Sequence, residues 1–272
     1  MVRIIGFLAG LVFVVALVVA ALMPREATQP DPVAAYFKHP KEVEWSFKGP
    51  LNIGIFGTFD RQQLQRGYQV YKQVCANCHS MKRVAFRNLT DIGFSEAEVK
   101  ALAKQADIPS IDEKTGEPTT RKGVPSDRFP SPYPNDIAAR AAQNNALPPD
   151  LSLITKARHD GANYVYSLLT GYGPTPKGVE LSPSLHYTPY FHSLGIAMAP
   201  PLTEGVVEYA EGQPKATVDQ MARDVVAFLS WAAEPEMEER KSTGFAVIMF
   251  LLIMTGLAYV AYRKVWADVK GH

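Results

Sequence analysis

The sequence predicts a mainly α-helical fold, with one globular domain, long loops and an apolar helix near each end of the chain. Two separated segments repeat apolar residues at helical spacing, 21 prolines in 272 residues favour irregular connections, and an apolar run of membrane-spanning length lies near each terminus. The hydrophobic share of 47% and the charged share of 20% exclude a disordered or a polytopic membrane protein. The formal net charge of +1 gives no reason to expect nucleic acid as a partner.

The C-terminal apolar run, Gly244–Tyr262, predicts a transmembrane anchor. Its nineteen residues carry no charge, and at about 1.5 Å per residue they cross most of a hydrocarbon core of about 30 Å. Lysines and arginines follow the run, so the positive-inside rule places the C-terminus in the cytoplasm. We therefore predict an anchor at 241–264 and a cytoplasmic tail at 265–272.

The N-terminal apolar run, 1–23, fits either an uncleaved anchor or a signal peptide. It is longer than the ~7–15 residues of a signal core, which favours the anchor, and in both alternatives the residues after it are exported. A proline-rich linker at 24–50 and a domain at 51–240 are then predicted outside the cytoplasm. Residues 24–240 contain 23 Lys and Arg against 26 Asp and Glu, so this part carries a net charge of −3.

Three helices are predicted inside the domain. The first covers 61–74, where apolar residues recur at helical spacing. A second begins at the capping-box pattern of residues 217–220 and ends before Pro235. Gly67 lacks a side chain, so we expect the second helix to cross the first closely there. A shorter helix is predicted at 161–170.

Cys75, Ala76, Asn77, Cys78 and His79 form the C-x-x-C-H pattern of covalent c-type haem attachment, and the chain has no other cysteine. Two thiols at this spacing, at the start of a helix, form thioethers to the two vinyl groups, and the histidine then presents its imidazole to the iron. A redox C-x-x-C motif would want a βαβ context, and a zinc site would want further ligands. We therefore predict one covalently bound haem with His79 as an iron ligand.

The sixth iron ligand remains open on spacing alone. Met198 lies in a non-helical loop stiffened by prolines, about 120 residues after the haem motif, but a lone methionine usually fills a core. Histidine is the alternative ligand, although each candidate is more typical of a loop or a surface. These candidates are His39, His159, His186, His192 and His272.

Arg158 precedes an aromatic helix, and a guanidinium at this place is able to pair with a haem propionate. The alternative is an ordinary solvated surface arginine.

From about Trp45 to the C-terminus, ordered segments of the chain resemble the cytochrome c1 family, the haem c subunits of the cytochrome bc1 complex. The haem motif alone would not be specific, but the series of segments ending in one anchor is. The segments are Phe59–Arg61, Leu64–Tyr71, Ala146–Ser152, Ala157–His159, Tyr164–Tyr172, Met198–Pro201 and Phe228–Ala232.

The resemblance implies roles for single residues. Met198 is then the axial ligand opposite His79, Arg158 and Tyr164 line the haem pocket, and Pro149 lies against the haem ring. Relatives often carry a cleavable N-terminal presequence, whereas this chain begins with an anchor-like run.

The resemblance also implies a function and partners. The chain would be a redox subunit without an activity of its own, taking an electron from the Rieske iron–sulfur protein and passing it to a soluble or membrane-attached cytochrome c. It would sit with cytochrome b in a dimeric complex of the bacterial inner membrane, with its main domain in the periplasm. Two rival functions are a haem peroxidase and the monohaem subunit of a terminal oxidase.

Overall fold

A computed structural model describes residues 2–22, 32–52, 54 and 56–267. The predictions that concern Met1, Met23, Lys270 and His272 therefore lie outside the described residues. The chain divides into two units, Met1–Tyr36 and Phe37–His272.

The first unit contains helix α1 (Val2–Leu22) and the short helix α2 (Pro32–Tyr36). Every side chain from Arg3 to Leu22 is exposed. A helix that is apolar beyond Arg3 and has no buried face is typical of a membrane span or an export signal.

The second unit is mainly helical, as predicted, and the few strands among its described residues form two small antiparallel pairs. Its helices are α3 (Arg61–Gln73), α4 (Glu96–Lys104), α5 (Asp136–Ala142), α6 (Gly161–Leu169), α7 (Val218–Ala233) and α8 (Met237–Val265). Its strands are β1 (Asp107–Ile111) with β2 (Pro118–Lys122), and β3 (His186–Tyr187) with β4 (Gly195–Ile196). Short 3₁₀ turns lie at Ser46–Lys48, Pro50–Asn52, Cys75–Asn77 and Phe86–Ile92.

The core is built around the crossing of α3 and α7. At Gly67 a Cβ atom would lie 2.1 Å from the backbone oxygen of Asp224 and 2.7 Å from Cβ of Phe228, so the predicted close approach is confirmed. Beside it, Arg66 Nε lies 2.9 Å from Asp224 Oδ2 in a buried ion pair, and Phe228 and Trp231 are almost fully enclosed.

Helix α7 begins where the capping pattern predicts. The Thr217 hydroxyl accepts a hydrogen bond from the backbone N–H of Gln220 at 3.2 Å. The Gln220 side chain does not complete the capping box, because it donates to Asp224 at 2.9 Å instead. The side chain of Gln220, which the sequence pattern assigns to the helix cap, thus binds the buried carboxylate of Asp224 instead.

Helix α8 begins within the packed domain and continues as an apolar helix whose side chains are exposed. Its first residue, Met237, is buried, although it lies in a charged stretch of sequence. Glu238 accepts hydrogen bonds from the Arg61 guanidinium at 2.7 Å and from the Phe59 N–H at 2.6 Å. Within the described part of the chain, two helices are long and apolar enough to cross a membrane, Arg3–Leu22 and Met237–Val265.

The predicted linker at 24–50 is too long. Val43, Trp45 and Phe47 belong to the core, and the Trp45 indole donates to the buried Asn163 Oδ1 at 2.7 Å. The packed unit begins at Phe37 rather than at residue 51, because aromatic side chains anchor this proline-rich stretch on α6.

Candidate haem-binding site

The C-x-x-C-H motif lies at the end of α3 and not at the start of a helix as predicted. Cys75–Asn77 forms a 3₁₀ turn directly after α3. Both cysteines are half-buried, and they are not paired in a disulfide. Gln143 Nε2 lies 3.5 Å from Cys78 Sγ. The α3–α7 crossing therefore fixes the position of the turn that carries both thiols.

His79 is oriented by a backbone carbonyl. Its Nδ1 lies 2.9 Å from the carbonyl oxygen of Pro149. A carbonyl only accepts hydrogen bonds, so Nδ1 carries the proton and the lone pair of the neutral ring is on Nε2. Burial lowers the pKa of His79, which favours this neutral form. An imidazole held in this way is typical of a metal ligand.

The segment that supplies this carbonyl is clamped to the motif by Asp150. One carboxylate oxygen accepts from the Ser80 hydroxyl and from the Lys82 N–H, both at 2.8 Å. The Leu151 N–H donates to the Ser80 carbonyl at 2.8 Å. Burial favours the protonated form of Asp150, but hydrogen bonds from Ser152, Lys82 and Ser80 outweigh it and hold its pKa below the ordinary value.

The site does not suit the two alternatives for a C-x-x-C pair. Burial, followed by the nearby Cys78, raises the pKa of Cys75 to about 12, whereas a redox cysteine needs a lowered pKa. Among the described residues no group of three or more His, Cys, Asp or Glu side chains is placed to hold a metal ion.

Met198 lies just after β4 in a second part of the site. It is half-buried, and its carbonyl accepts a hydrogen bond from the Tyr172 hydroxyl at 3.0 Å. Burial raises the pKa of Tyr172, and the nearby Tyr164 adds to the rise. A cavity of about 460 Å³ opens beside this loop and is lined by Tyr172, His186 and Pro200 among others.

Arg158 and Tyr164 are neighbours, as a shared pocket would require. Burial raises the pKa of Tyr164, and the positive charge of Arg158 partly offsets the rise. Arg158 is exposed and donates to the carbonyl of Ala157 at 3.1 Å. The predicted site residues thus fall into two groups, one around His79 and one from Arg158 through Tyr164 and Tyr172 to Met198.

Of the other candidate histidines within the described residues, only His186 borders the cavity beside the Met198 loop. His186 is half-buried in β3, and the exposed ones are His39, His159 and His192. Sequence reasoning assigned no role to Tyr172 or to the clamp of Ser80 and Asp150. The sequence Pro148, Pro149, Asp150 could have indicated the clamp, since a stiff turn before a carboxylate is suited to holding a neighbouring segment.

The residues present fit a covalently attached haem. The two thiols lie on one turn, the adjacent imidazole leaves Nε2 for a metal, and both alternatives for the cysteine pair are disfavoured. In the second group Arg158 neighbours Tyr164, Tyr164 neighbours Tyr172, and Tyr172 donates to the carbonyl of Met198.

Comparison with known proteins agrees with this chemistry. The family model of the Cytochrome C1 family matches residues 45–269. The chain is 52% identical over 220 residues to cytochrome c1-2, a mitochondrial heme protein of Solanum tuberosum, covering 80% of this chain and 84% of the relative. It is 45% identical over 243 residues to cytochrome c1 of Rhodospirillum rubrum, covering 84% and 87%.

A further relative is named for a complex. The mitochondrial cytochrome b-c1 complex catalytic subunit of Candida albicans is 42% identical over 267 residues, covering 97% of this chain and 91% of the relative. The family match spans most of the chain and includes both groups of site residues. The chain therefore belongs to the cytochrome c1 family and carries one covalently bound haem c.

Proposed function

We propose that the chain is the electron-transfer subunit of a respiratory cytochrome bc1 complex. It receives one electron from the Rieske iron–sulfur protein and passes it to a soluble or membrane-attached c-type cytochrome. It assembles with cytochrome b in a dimeric complex, and it makes and breaks no bonds itself. The name of the Candida albicans relative supports the complex.

The observation that carries this proposal is the hydrogen bond between His79 Nδ1 and the Pro149 carbonyl at 2.9 Å, directly beside both motif cysteines. It keeps Nε2 free of a proton and fixes the ring plane. The haem supplies one-electron redox chemistry when it is bound. Cys75 and Cys78 hold it covalently, and His79 ligates its iron.

Met198 would provide the second protein ligand of the iron, after His79. A His/Met pair raises the reduction potential of a haem and closes the iron to other ligands, which suits electron transfer. The hydroxyl of Tyr172 fixes the backbone of Met198 at 3.0 Å and so limits where the thioether sulfur is able to lie. Pro149, whose carbonyl accepts a hydrogen bond from His79 Nδ1, would also line the haem site.

Arg158 pairs with a haem propionate, and Tyr164 lines the same pocket. Arg158 is exposed, and its guanidinium donates within the structure to the carbonyl of its own neighbour. A guanidinium binds a carboxylate through two parallel hydrogen bonds, which adds geometric specificity. Tyr164 is near enough to Arg158 and to Tyr172 for each pair to influence a tyrosine pKa, which supports a shared pocket.

The chain is anchored in a bacterial inner membrane, with its domain in the periplasm and its C-terminus in the cytoplasm. The apolar part of α8 is followed by Arg263 and Lys264 in its last turn, as the positive-inside rule requires. Helix α1 is a second anchor or an export signal.

Purification of the complex through a tag on this chain tests the proposal. We expect cytochrome b and a Rieske protein to co-purify, one haem c per chain by pyridine haemochrome, and quinol-dependent reduction of cytochrome c. A tagged Cys78→Ser, His79→Ala chain is the matched control, which should lose the covalent haem and the electron transfer. Co-purification with a terminal-oxidase subunit instead, or peroxide turnover by the isolated chain, would favour the rival functions.

A further inference from the structure

Phe56 is an exposed aromatic residue held against the membrane helix. Its side chain is 65% exposed, and its ring lies 6.3 Å from that of Phe245 in an edge-to-face arrangement. Phe245 is itself 54% exposed and is the second residue of the uncharged run of α8. Two large apolar rings thus meet at the point where α8 leaves the domain.

Hydrogen bonds fix the segment 56–59 to the same face of α8. Glu238 accepts from the Phe59 N–H at 2.6 Å, and Lys241 Nζ donates to the Gly57 carbonyl at 3.4 Å and the Phe47 carbonyl at 2.8 Å. Glu238, Lys241 and Phe245 are spaced three and four residues apart, so they lie along one side of the helix. These hydrogen bonds therefore hold Phe56 at a fixed position along the axis of α8.

The length of the apolar run in turn fixes the depth of Phe56 relative to a bilayer. The uncharged run Gly244–Tyr262 has nineteen residues, which corresponds to about 28 Å against a hydrocarbon core of about 30 Å. Helix α8 is therefore able to shift little along the membrane normal, because moving Phe245 into water would draw Arg263 and Lys264 into the hydrocarbon core. Phe245, and with it Phe56, lies at the boundary between hydrocarbon and head groups.

We propose that Phe56 inserts its ring into the lipid interface beside α8 and gives the domain a contact with the bilayer in addition to α8. The occupant of this surface is phospholipid. Residues 49–59 contain no charge and include Leu51, Ile53, Ile55 and Phe56, a composition suited to the interface, where aromatic rings are enriched. Two contacts at different points limit how the domain tilts on its anchor. This inference rests on the proposed membrane crossing of α8.

Spin labelling of the full-length, haem-loaded chain in phosphatidylcholine vesicles tests the proposal. Both native cysteines are bound to haem, so Phe56→Cys introduces the only free thiol and takes a single nitroxide. The iron is kept ferrous and low-spin so that it does not relax the label. We expect oxygen, which concentrates in lipid, to relax this label more strongly than a water-soluble neutral nickel chelate.

Two control positions separate the possible failures. Ile253→Cys, in the middle of α8, reports whether that helix crosses the bilayer, and Thr115→Cys, in the turn between β1 and β2, reports a position in water. A lipid-like label at 253 with a nickel-accessible label at 56 overturns this proposal and leaves the crossing intact. A nickel-accessible label at 253 overturns the crossing and with it this proposal. Loss of access to both relaxants at 56 in the assembled complex means that protein covers Phe56, which also overturns it.

Discussion

The two sides of the site are built differently. On the histidine side, His79 and Asp150 are fixed by short hydrogen bonds above a closed core, and Met81 beside them is fully enclosed. On the methionine side, Met198 follows a two-residue strand, is half-buried and borders an open cavity. The histidine is held in place by the fold, whereas the methionine depends on a loop. We therefore expect changes on the histidine side to affect stability, and changes on the methionine side to affect ligation.

The largest effect should come from the scaffold beneath the histidine side. Gly67→Ala places a Cβ 2.1 Å from a backbone oxygen of α7, and backbone is not able to yield as a flexible side chain would. We expect a loss of at least about 2 kcal/mol of unfolding free energy, measured by thermal denaturation and haem yield. Gly173→Ala is the matched control, since nothing lies within 4 Å of its Cβ position. A wild-type melting temperature for Gly67→Ala would contradict the crossing.

Met198→Leu should change ligation and leave the fold intact. Leucine has a similar volume, so stability should fall by less than about 1.5 kcal/mol. Loss of the thioether should lower the reduction potential by on the order of 0.1 V, within the ~0.8 V range set by axial ligands, and carbon monoxide should then bind the reduced protein. Redox titration and visible spectra measure both effects.

Met221→Leu is the control for this variant, because Met221 is fully buried in α7. It should keep the wild-type potential. If Met198→Leu destabilised the domain as strongly as Gly67→Ala, the contrast between the two sides would fail. An unchanged potential in Met198→Leu would refute Met198 as the ligand.

Asp150→Asn tests the clamp on the histidine side. Its hydrogen bonds to the ionised carboxylate are worth about 1–2 kcal/mol after allowance for partial exposure. The pKa of Asp150 is held below its ordinary value in the folded protein, so this stabilisation is present above the ordinary pKa of about 4 and is lost as pH falls through the folded value. Stability measured by urea denaturation should differ from wild type at pH 5–7 and converge with it in acid.

Asp91→Asn, at an exposed position, is the control and should show no comparable loss of stability at pH 5–7. A pH-independent difference for Asp150→Asn would mean that packing rather than charge holds the clamp.

Arg158→Ala should have a smaller effect on the methionine side. Removal of a positive charge near a propionate disfavours the reduced haem, so the potential should fall. A loss of about 1 kcal/mol corresponds to roughly 40 mV for one electron. Redox titration with a count of haem per chain measures it, and Arg87→Ala, another exposed arginine, is the control. Wild-type potential and occupancy would make Arg158 a surface residue.

The smallest expected effect is on the rate at which the haem reduces its partner cytochrome, next to the methionine side of the site. Three exposed carboxylates follow the Met198 loop and would steer a lysine-bearing cytochrome by acting on its association rate. They are Glu204, Glu208 and Glu211. With all three changed to Gln, stopped-flow reduction of the partner should be roughly threefold to tenfold slower at low salt. The rates should converge near 1 M salt, where the Debye length is ~3 Å.

A control with equal loss of charge lies on the exposed β1–β2 turn. It combines Asp112→Asn, Glu113→Gln and Glu117→Gln. This control should react as the wild type does. Equal slowing by both triple variants would show an effect of net charge rather than a docking surface.

Local sequence patterns predicted the two helices that cross in the core, but they did not predict contacts between residues far apart in the chain. The helical repeat and Gly67 predicted the crossing because both helices carry a full apolar face. The hairpin β1–β2 was missed because every residue of β2 is exposed, so no alternation of apolar and polar residues marks it. Helix α4 was missed although Ser95 and Glu98 form a capping box at its start.

In the site, the motif predicted the chemistry of Cys75, Cys78 and His79 because it is contiguous. The bond from His79 to the Pro149 carbonyl joins residues 70 positions apart and uses a backbone atom that every residue possesses. Sequence carries no signal for such a bond, so only the fold reveals it.

The ion pair at the crossing joins Arg66 to Asp224, which are 158 residues apart in the chain. Closing a loop of that length costs about 4–5 kcal/mol of chain entropy, and long-range contacts of this kind form late in folding. The haem motif follows α3 directly and precedes α7 in the chain, so during synthesis it leaves the ribosome before α7 does. We therefore expect the thiols of Cys75 and Cys78 to be more accessible for haem attachment before the crossing of α3 and α7 has closed the core.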